Sequence, residues 1–189
     1  MKKVMILAAL MMAVGSSAYA QRRGSGGNGV YLGIGAMYDN TKVTADMGGT
    51  ETESKMTQIT LDGDLGYVFS SGLYLGAAYI STSSDDGTNK PKDSALGVGL
   101  GYMKNGFIGK LSYYLSGQTE SGTEKGTEGT GLGVDVGYLF PVSSSFNMGA
   151  SLAYRDIKYK KIESSGVEVP DASVKSSTLS PRLLFAFTF

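Results

Sequence analysis

The sequence predicts an all-β fold, and more narrowly a transmembrane, eight-stranded, antiparallel up-and-down β-barrel. Three observations predict it. Eight segments of about ten residues alternate apolar and small or polar side chains with period 2, the length and periodicity of a tilted strand that crosses the hydrocarbon core. The connections between them alternate short and long, as expected where tight turns lie on one side of a membrane and loops on the other. The apolar faces carry aromatic rings at both ends and aliphatic side chains between, which is the arrangement of two interfacial belts around a hydrophobic band.

Residues 1–20 are set apart from this pattern. Lys2 and Lys3 precede an apolar run from Val4 to Val14, and the small residues Ala18 and Ala20 flank Tyr19, so the segment reads as a cleaved secretory signal peptide. The run is far shorter than the roughly 20 residues of a transmembrane helix. Residues 21–29 form a Gly-rich flexible lead, and residues 30–189 the barrel domain. Taking 20 residues from 189 leaves 169, enough for one domain. The 17 Lys and Arg less Lys2 and Lys3 leave 15 against 17 acids, a net of −2 that implies no nucleic-acid partner. Composition agrees with a β protein: 28 Gly, 12 Tyr and 7 Phe accompany only 4 Pro and no Trp. Cysteine is absent, which excludes disulfides, thiolate chemistry and sulfur-ligated metals.

The first strand, residues 30–39, places Leu32, Ile34, Ala36 and Tyr38 opposite Gly33, Gly35 and Asp39. The second, 57–69, is the clearest: Ile59, Leu61, Leu65, Tyr67 and Phe69 oppose Gln58, Thr60, Asp62 and Asp64. Leu73, Leu75, Ala77 and Tyr79 mark the third, and Leu96, Val98, Leu100 and Tyr102 opposite Gly97, Gly99 and Gly101 mark the fourth. In the fifth, 107–117, Phe107, Leu111, Tyr113 and Leu115 oppose Lys110, Ser112, Tyr114 and Ser116. Leu132, Val134, Val136, Tyr138 and Phe140 oppose Gly133, Asp135 and Gly137 in the sixth; Met148, Ala150, Leu152 and Tyr154 oppose Ser151 and Arg155 in the seventh. The last, 177–189, sets Leu179, Leu183, Phe185, Phe187 and Phe189 against Ser180, Arg182, Leu184 and Thr188. Pro181 falls within it and cannot donate a ladder hydrogen bond, so a bulge or an unpaired position is expected there.

Residues 70–72, 104–106 and 141–145 are the turns, with Asn105 and Gly106 suited to the positive φ of a tight reversal; 40–56, 82–93, 118–130 and 156–175 are the loops. An even strand count places both termini on the turn side, the periplasm. In that orientation Tyr67, Phe69, Tyr102, Phe107, Tyr138, Phe140, Phe146, Phe187 and Phe189 form the turn-side belt, and Tyr38, Tyr79, Tyr113 and Tyr154 the loop-side belt. A secreted soluble barrel or sandwich would instead bury the apolar face and expose the other. That other face is mostly Gly, Ser and Ala with few charges, and the rings sit at strand ends, neither of which a soluble protein requires.

The inward face carries Asp62, Asp64, Lys110, Asp135, Arg155 and Arg182, three acids against three bases, with Asp39 at the loop-side rim. An eight-stranded barrel is just wide enough for side chains to fill it, so these charges are expected to pair with one another and plug the lumen. Asp62 and Arg182 each lie seven residues from the turn-side end of their strand and are the first expected pair; Lys110 and Asp135, on adjacent strands, are the second. The alternative is a charged constriction in a narrow porin-like channel for ions or small solutes. Catalysis is not expected, because the chain has no His or Cys to act as base or nucleophile, and Asp62 and Asp64 read as salt-bridge partners. The glycines at 97, 99, 101, 131, 133 and 137 repeat with period 2 and precede no helix, so they do not form a dinucleotide cradle. No cofactor or metal is implied.

Over its mature length the chain resembles the OmpA/OmpX-type small outer-membrane β-barrels. The alternation of Leu183, Phe185, Phe187 and the terminal Phe189 resembles the C-terminal signature that the outer-membrane assembly machinery reads in that family. The resemblance implies a bacterial outer-membrane location with outer-membrane lipids around a monomer, and a structural or adhesion-like role. With the chain ending at Phe189, no periplasmic peptidoglycan-binding domain is expected. Any extracellular partner would be met by the loops. Residues 118–130, a run of Gly, Thr, Ser and Glu, are expected to be mobile. Residues 41–56, turning about Gly48 and Gly49, and 157–174 are expected to be strands prolonged beyond the membrane, with exposed edges to which another chain could add a strand.

Overall fold

The computed structural model describes residues 28–47, 49–83 and 91–189; the expected signal peptide, the expected Gly-rich lead up to residue 27 and part of the 82–93 loop lie outside them. Eleven strands are present: β1 (Gly29–Met47), β2 (Thr50–Val68), β3 (Leu73–Ser83), β4 (Lys92–Lys104), β5 (Phe107–Ser121), β6 (Glu124–Thr127), β7 (Thr130–Pro141), β8 (Phe146–Tyr159), β9 (Lys161–Ser164), β10 (Val167–Glu168) and β11 (Ala172–Thr188). Eight of them, β1 to β5 with β7, β8 and β11, pair antiparallel each with the next, and β11 returns to β1 to close the barrel. Closure extends to the last residue, since Val30 and Phe189 exchange backbone hydrogen bonds of 3.1 and 3.0 Å. Gly29 is already part of that seam: a Cβ on it would lie 2.0 Å from the Phe189 carbonyl oxygen, so only glycine fits.

The faces follow the period-2 pattern. Leu65, Leu75, Leu100, Leu111, Val136, Leu152 and Leu183 stand outward and exposed, as do the belt rings Tyr38, Tyr79, Tyr113, Tyr154, Phe69, Tyr102, Phe107 and Phe140. A continuous apolar band of this kind around a closed barrel is the surface that lipid covers; in water it would drive association. On the outer face of β11 the rings of Phe185, Phe187 and Phe189 pack with Phe146, at 4.9 Å between Phe146 and Phe187 and 6.4 Å between Phe187 and Phe189. The turns are short. Asn105 and Gly106 have φ of 53° and 84°, the paired positive values of a type I′ hairpin, and Lys104 pairs directly with Phe107.

Two irregularities have identifiable causes. Pairing of β1 with β11 lapses between Met37–Arg182 and Thr41–Thr178 without a change of register, while β8 pairs with Pro181 uninterrupted. The proline has no N–H to give to β1. The other is a bulge in β5 opposite Leu96 and Gly97, where Leu115 is the extra residue. It inverts the alternation, so Ser116, expected inward, is exposed, and Gly117 is buried instead.

On the loop side the described residues 41–47, 50–56 and much of 157–174 are prolonged strands, as expected. β1 and β2 continue to a two-residue turn, Met47 pairing with Thr50 and Gly49 at a φ of 92°. Residues 118–130, expected to be mobile, are ordered: β5 runs on to Ser121 and turns into β6, which pairs with β9. The correction has a physical reason. Glycine there makes room for one ring: a Cβ on Gly129 would lie 2.7 Å from the ring of Tyr159, and one on Gly117 3.2 Å from it. Composition alone does not distinguish glycine used for freedom from glycine used for space.

Candidate functional site in the lumen

Successive inward positions of β2 place Asp62 and Asp64 in the lumen; β5, β7, β8 and β11 contribute Lys110, Asp135, Arg155 and Arg182. All six are buried, Arg182 to 2% exposure. They form one network. Arg182 Nη2 lies 2.7 Å from Asp62 Oδ2 and 3.0 Å from Asp64 Oδ2, its Nε donates to Asp62 Oδ1 at 3.0 Å, and its Nη1 reaches Asp135 Oδ1 at 3.4 Å. Lys110 Nζ donates to both oxygens of Asp64 at 2.6 and 2.7 Å and lies 3.3 Å from Asp135 Oδ2. Arg155 donates to Asp62 Oδ2 at 3.0 Å, to the Tyr114 hydroxyl at 3.1 Å and to Met37 Sδ at 2.8 Å.

Both expected pairs are therefore present, but not as separate pairs. The lumen is narrow enough for one guanidinium to touch three carboxylates, and Lys110 is closer to Asp64 than to Asp135. Three positive and three negative groups neutralise one another, which a buried ionic cluster requires. Space for it comes from glycine: a Cβ on Gly35 would lie 2.0 Å from Asp62 Oδ1 and 2.2 Å from Arg182 Nε.

Apolar clusters close the lumen on both sides of the charges. Toward the turns, Tyr31, Val68, Tyr74, Met103, Ile108, Leu139, Leu184 and Ala186 pack together, with the rings of Tyr31 and Tyr74 edge to face at 5.5 Å. Toward the loops, Ile80, Ala95, Tyr114, Ile157 and Tyr159 pack with Ile162 of β9 and Ala172 of β11. Tyr31, Tyr74 and Ile80 stand on the inward faces of β1 and β3 and belong to these clusters, while Met37, also inward and buried, meets Arg155. Ile162 had no signal in the sequence, because it reaches the lumen only through the pairing of β6 with β9.

A polar row crosses the loop-side rim. Thr60 donates to Asp39, Thr60 and Thr82 share a hydrogen bond of 2.8 Å, and Gln58 donates to Thr41 at 2.7 Å. These residues, with Asp93, Tyr159, Ser176 and Thr178, line a pocket open to solvent. Asp93 lies on β4 beyond the membrane-spanning part; burial pushes its carboxyl above the usual range, opposed by a hydrogen bond from Thr119.

No protein-family model matches the chain, and no curated protein matches it in sequence. Solved structures are similar to it in part. Neisserial surface protein A has a TM-score of 0.49 and 15% identity over 86% of this chain and 99% of that one. The outer membrane protein OprG from Pseudomonas aeruginosa has a TM-score of 0.47 and 13% identity over 87% and 97%. The attachment invasion locus protein of Yersinia pestis, in complex with the heparin analogue sucrose octasulfate, has a TM-score of 0.40 and 15% identity over 83% and 99%. At these identities and scores the likenesses assign no ligand, activity or partner to this chain.

Proposed function

We propose that the chain is a non-conducting outer-membrane barrel that acts at the cell surface through the sheet raised on its loop side. The observation that carries the first half is the lumen: six mutually neutralised charges lie between two apolar clusters. A permeating ion would have to displace Arg182 from three carboxylates and then pass both plugs. Both termini lie in the periplasm on this reading, the assembly machinery engages Phe185, Phe187 and Phe189, and the barrel is a monomer in outer-membrane lipid.

The raised sheet supports the second half. Among the described residues no strand pairs with the outer edge of β2 from Thr50 to Met56, the last described residue of β3, Ser83, pairing with Ile59. Such an edge can accept a strand from another chain. Single-channel recording of the refolded mature chain tests the closed lumen: an inserted but silent barrel is expected, and discrete, reproducible openings would overturn it in favour of a porin-like channel. Replacing residues 44–53 by an Asn-Gly turn tests the surface role. Bacteria carrying the shortened barrel are expected to insert it normally and to lose attachment to host cells or matrix; unchanged attachment would remove the hairpin from the function.

A further inference from the structure

The loop-side pocket has a chemical polarity of its own. Thr60 directs its single hydroxyl proton at Asp39, so in the Thr60–Thr82 hydrogen bond Thr82 is the donor. Gln58 directs an amide proton at Thr41. The Thr60 and Thr82 protons thus point into neighbouring side chains, and the carboxylates of Asp39 and Asp93 are acceptors on the cavity wall. Asp39 is 2% exposed, yet its Oδ1 has no hydrogen-bond partner among the described residues.

Charge and shape narrow the occupant. Asp39 and Asp93 line the pocket and form no ion pair among the described residues, while Arg155, the cation beside them, is held by Asp62, Tyr114 and Met37. A buried carboxylate oxygen without a donor is costly, and a cationic donor entering from solvent would relieve it. Ile80, Ile157 and the ring of Tyr159 supply an apolar part of the wall beside the polar Gln58, Ser176 and Thr178. A hard divalent metal calls for six or more oxygens with several carboxylates, and among the described residues no group of three or more His, Cys, Asp or Glu could hold one. An anion would meet the carboxylates of Asp39 and Asp93. A primary ammonium carries three donors and no acceptor, and its alkyl chain can lie on the apolar wall with its charge near an aromatic face.

We propose that this pocket binds the primary ammonium group of a small organic amine, with Asp39 as its main partner, Thr82 and Asp93 as further acceptors, and Ile80, Ile157 and Tyr159 packed against the chain. The test is calorimetric titration of the refolded mature protein with 1,4-diaminobutane, with 1,4-butanediol and calcium chloride as comparators. Saturable binding of the diamine, none of the diol, and a loss of on the order of tenfold or more in affinity in Asp39→Asn and in Asp93→Asn are expected. Thr82→Val, which keeps the shape and removes one acceptor, carries the same test if Asp39→Asn does not refold. The proposal is overturned if the wild-type barrel shows no saturable diamine binding, if the diol binds equally, if calcium binds where the diamine does not, or if the folded variants bind as tightly as wild type.

Discussion

Replacing Arg182 by Ala removes the group that touches all three lumen carboxylates. Lys110 still holds Asp64 and lies beside Asp135, and Arg155 still holds Asp62, so the variant keeps partners for each acid but loses neutrality: three carboxylates face two cations. One buried negative charge is left uncompensated, and removing one partner of a buried pair costs about 3–5 kcal/mol. With a urea slope of about 2 kcal/mol/M, the unfolding midpoint of the refolded barrel should fall by about 1.5–2.5 M. Asp62 accepts from Arg182 through both of its oxygens. The double variant Asp62→Asn, Arg182→Met restores the charge balance, so it should be more stable than the sum of the two single changes by about 1 kcal/mol or more. Equilibrium unfolding in detergent micelles, approached from both directions, measures all four proteins. An unchanged midpoint for Arg182→Ala, or strict additivity in the cycle, would refute the network as a source of stability.

Glycine positions supply a paired prediction. Gly35→Ala drives a methyl into the Asp62–Arg182 contact and should cost about 1–3 kcal/mol, whereas at Gly63 the nearest atom to an added Cβ is 4.0 Å away and Gly63→Ala should leave the midpoint within about 0.5 kcal/mol of wild type. Equal effects at both sites would separate the inward glycines from the charge layer. At the hairpin, Gly106→Ala meets both a φ of 84° and a carbonyl oxygen of Leu139 at 2.5 Å; a loss of about 1–3 kcal/mol in the same unfolding assay is expected. Asp93 has its carboxyl raised by burial, so its favourable contribution is present below its unfolded value and is lost as pH rises through the folded one. Asp93→Asn should therefore unfold at a midpoint equal to or above wild type near pH 7, with the advantage gone near pH 4; a lower midpoint at neutral pH would contradict the assignment.

The membrane-spanning part was legible in the sequence because its determinants are local. Strand parity needs only neighbours at i and i+2, and it placed Asp62, Asp64, Lys110, Asp135, Arg155 and Arg182 inward from residue type alone. Parity has one weakness: a single extra residue inverts everything after it, and Leu115 does so for Ser116 and Gly117. Pairing within the lumen was legible only in outline. Counting from strand ends matched Asp62 with Arg182, but it gives no measure of how far a guanidinium reaches across a narrow barrel. The loop side was least legible, since the order of residues 118–130 depends on β9 and on Tyr159, some 30 to 40 positions further along the chain, by an order-of-magnitude reading of the pairing.

The bulge also bears on how the loop side is built. β5 pairs with β7 as far as Tyr114; past Leu115 it stays paired with β4 up to Glu120 and takes β6 as its second partner from Thr119. β6 then holds β9, whose Ile162 joins Tyr159 over the lumen. On the opposite side β1, β2 and β11 rise as a wall, and the last described residue of β3, Ser83, pairs with Ile59 of β2. The mouth that remains is lined by β1 to β4 with β8 and β11, and Asp39, Thr82 and Asp93 all fall within it. Arg155 is shared: it lines this mouth with Asp39 and Asp93 and also belongs to the neutralised layer beneath, through Asp62, so a change at the mouth that moves Arg155 reaches the charge network.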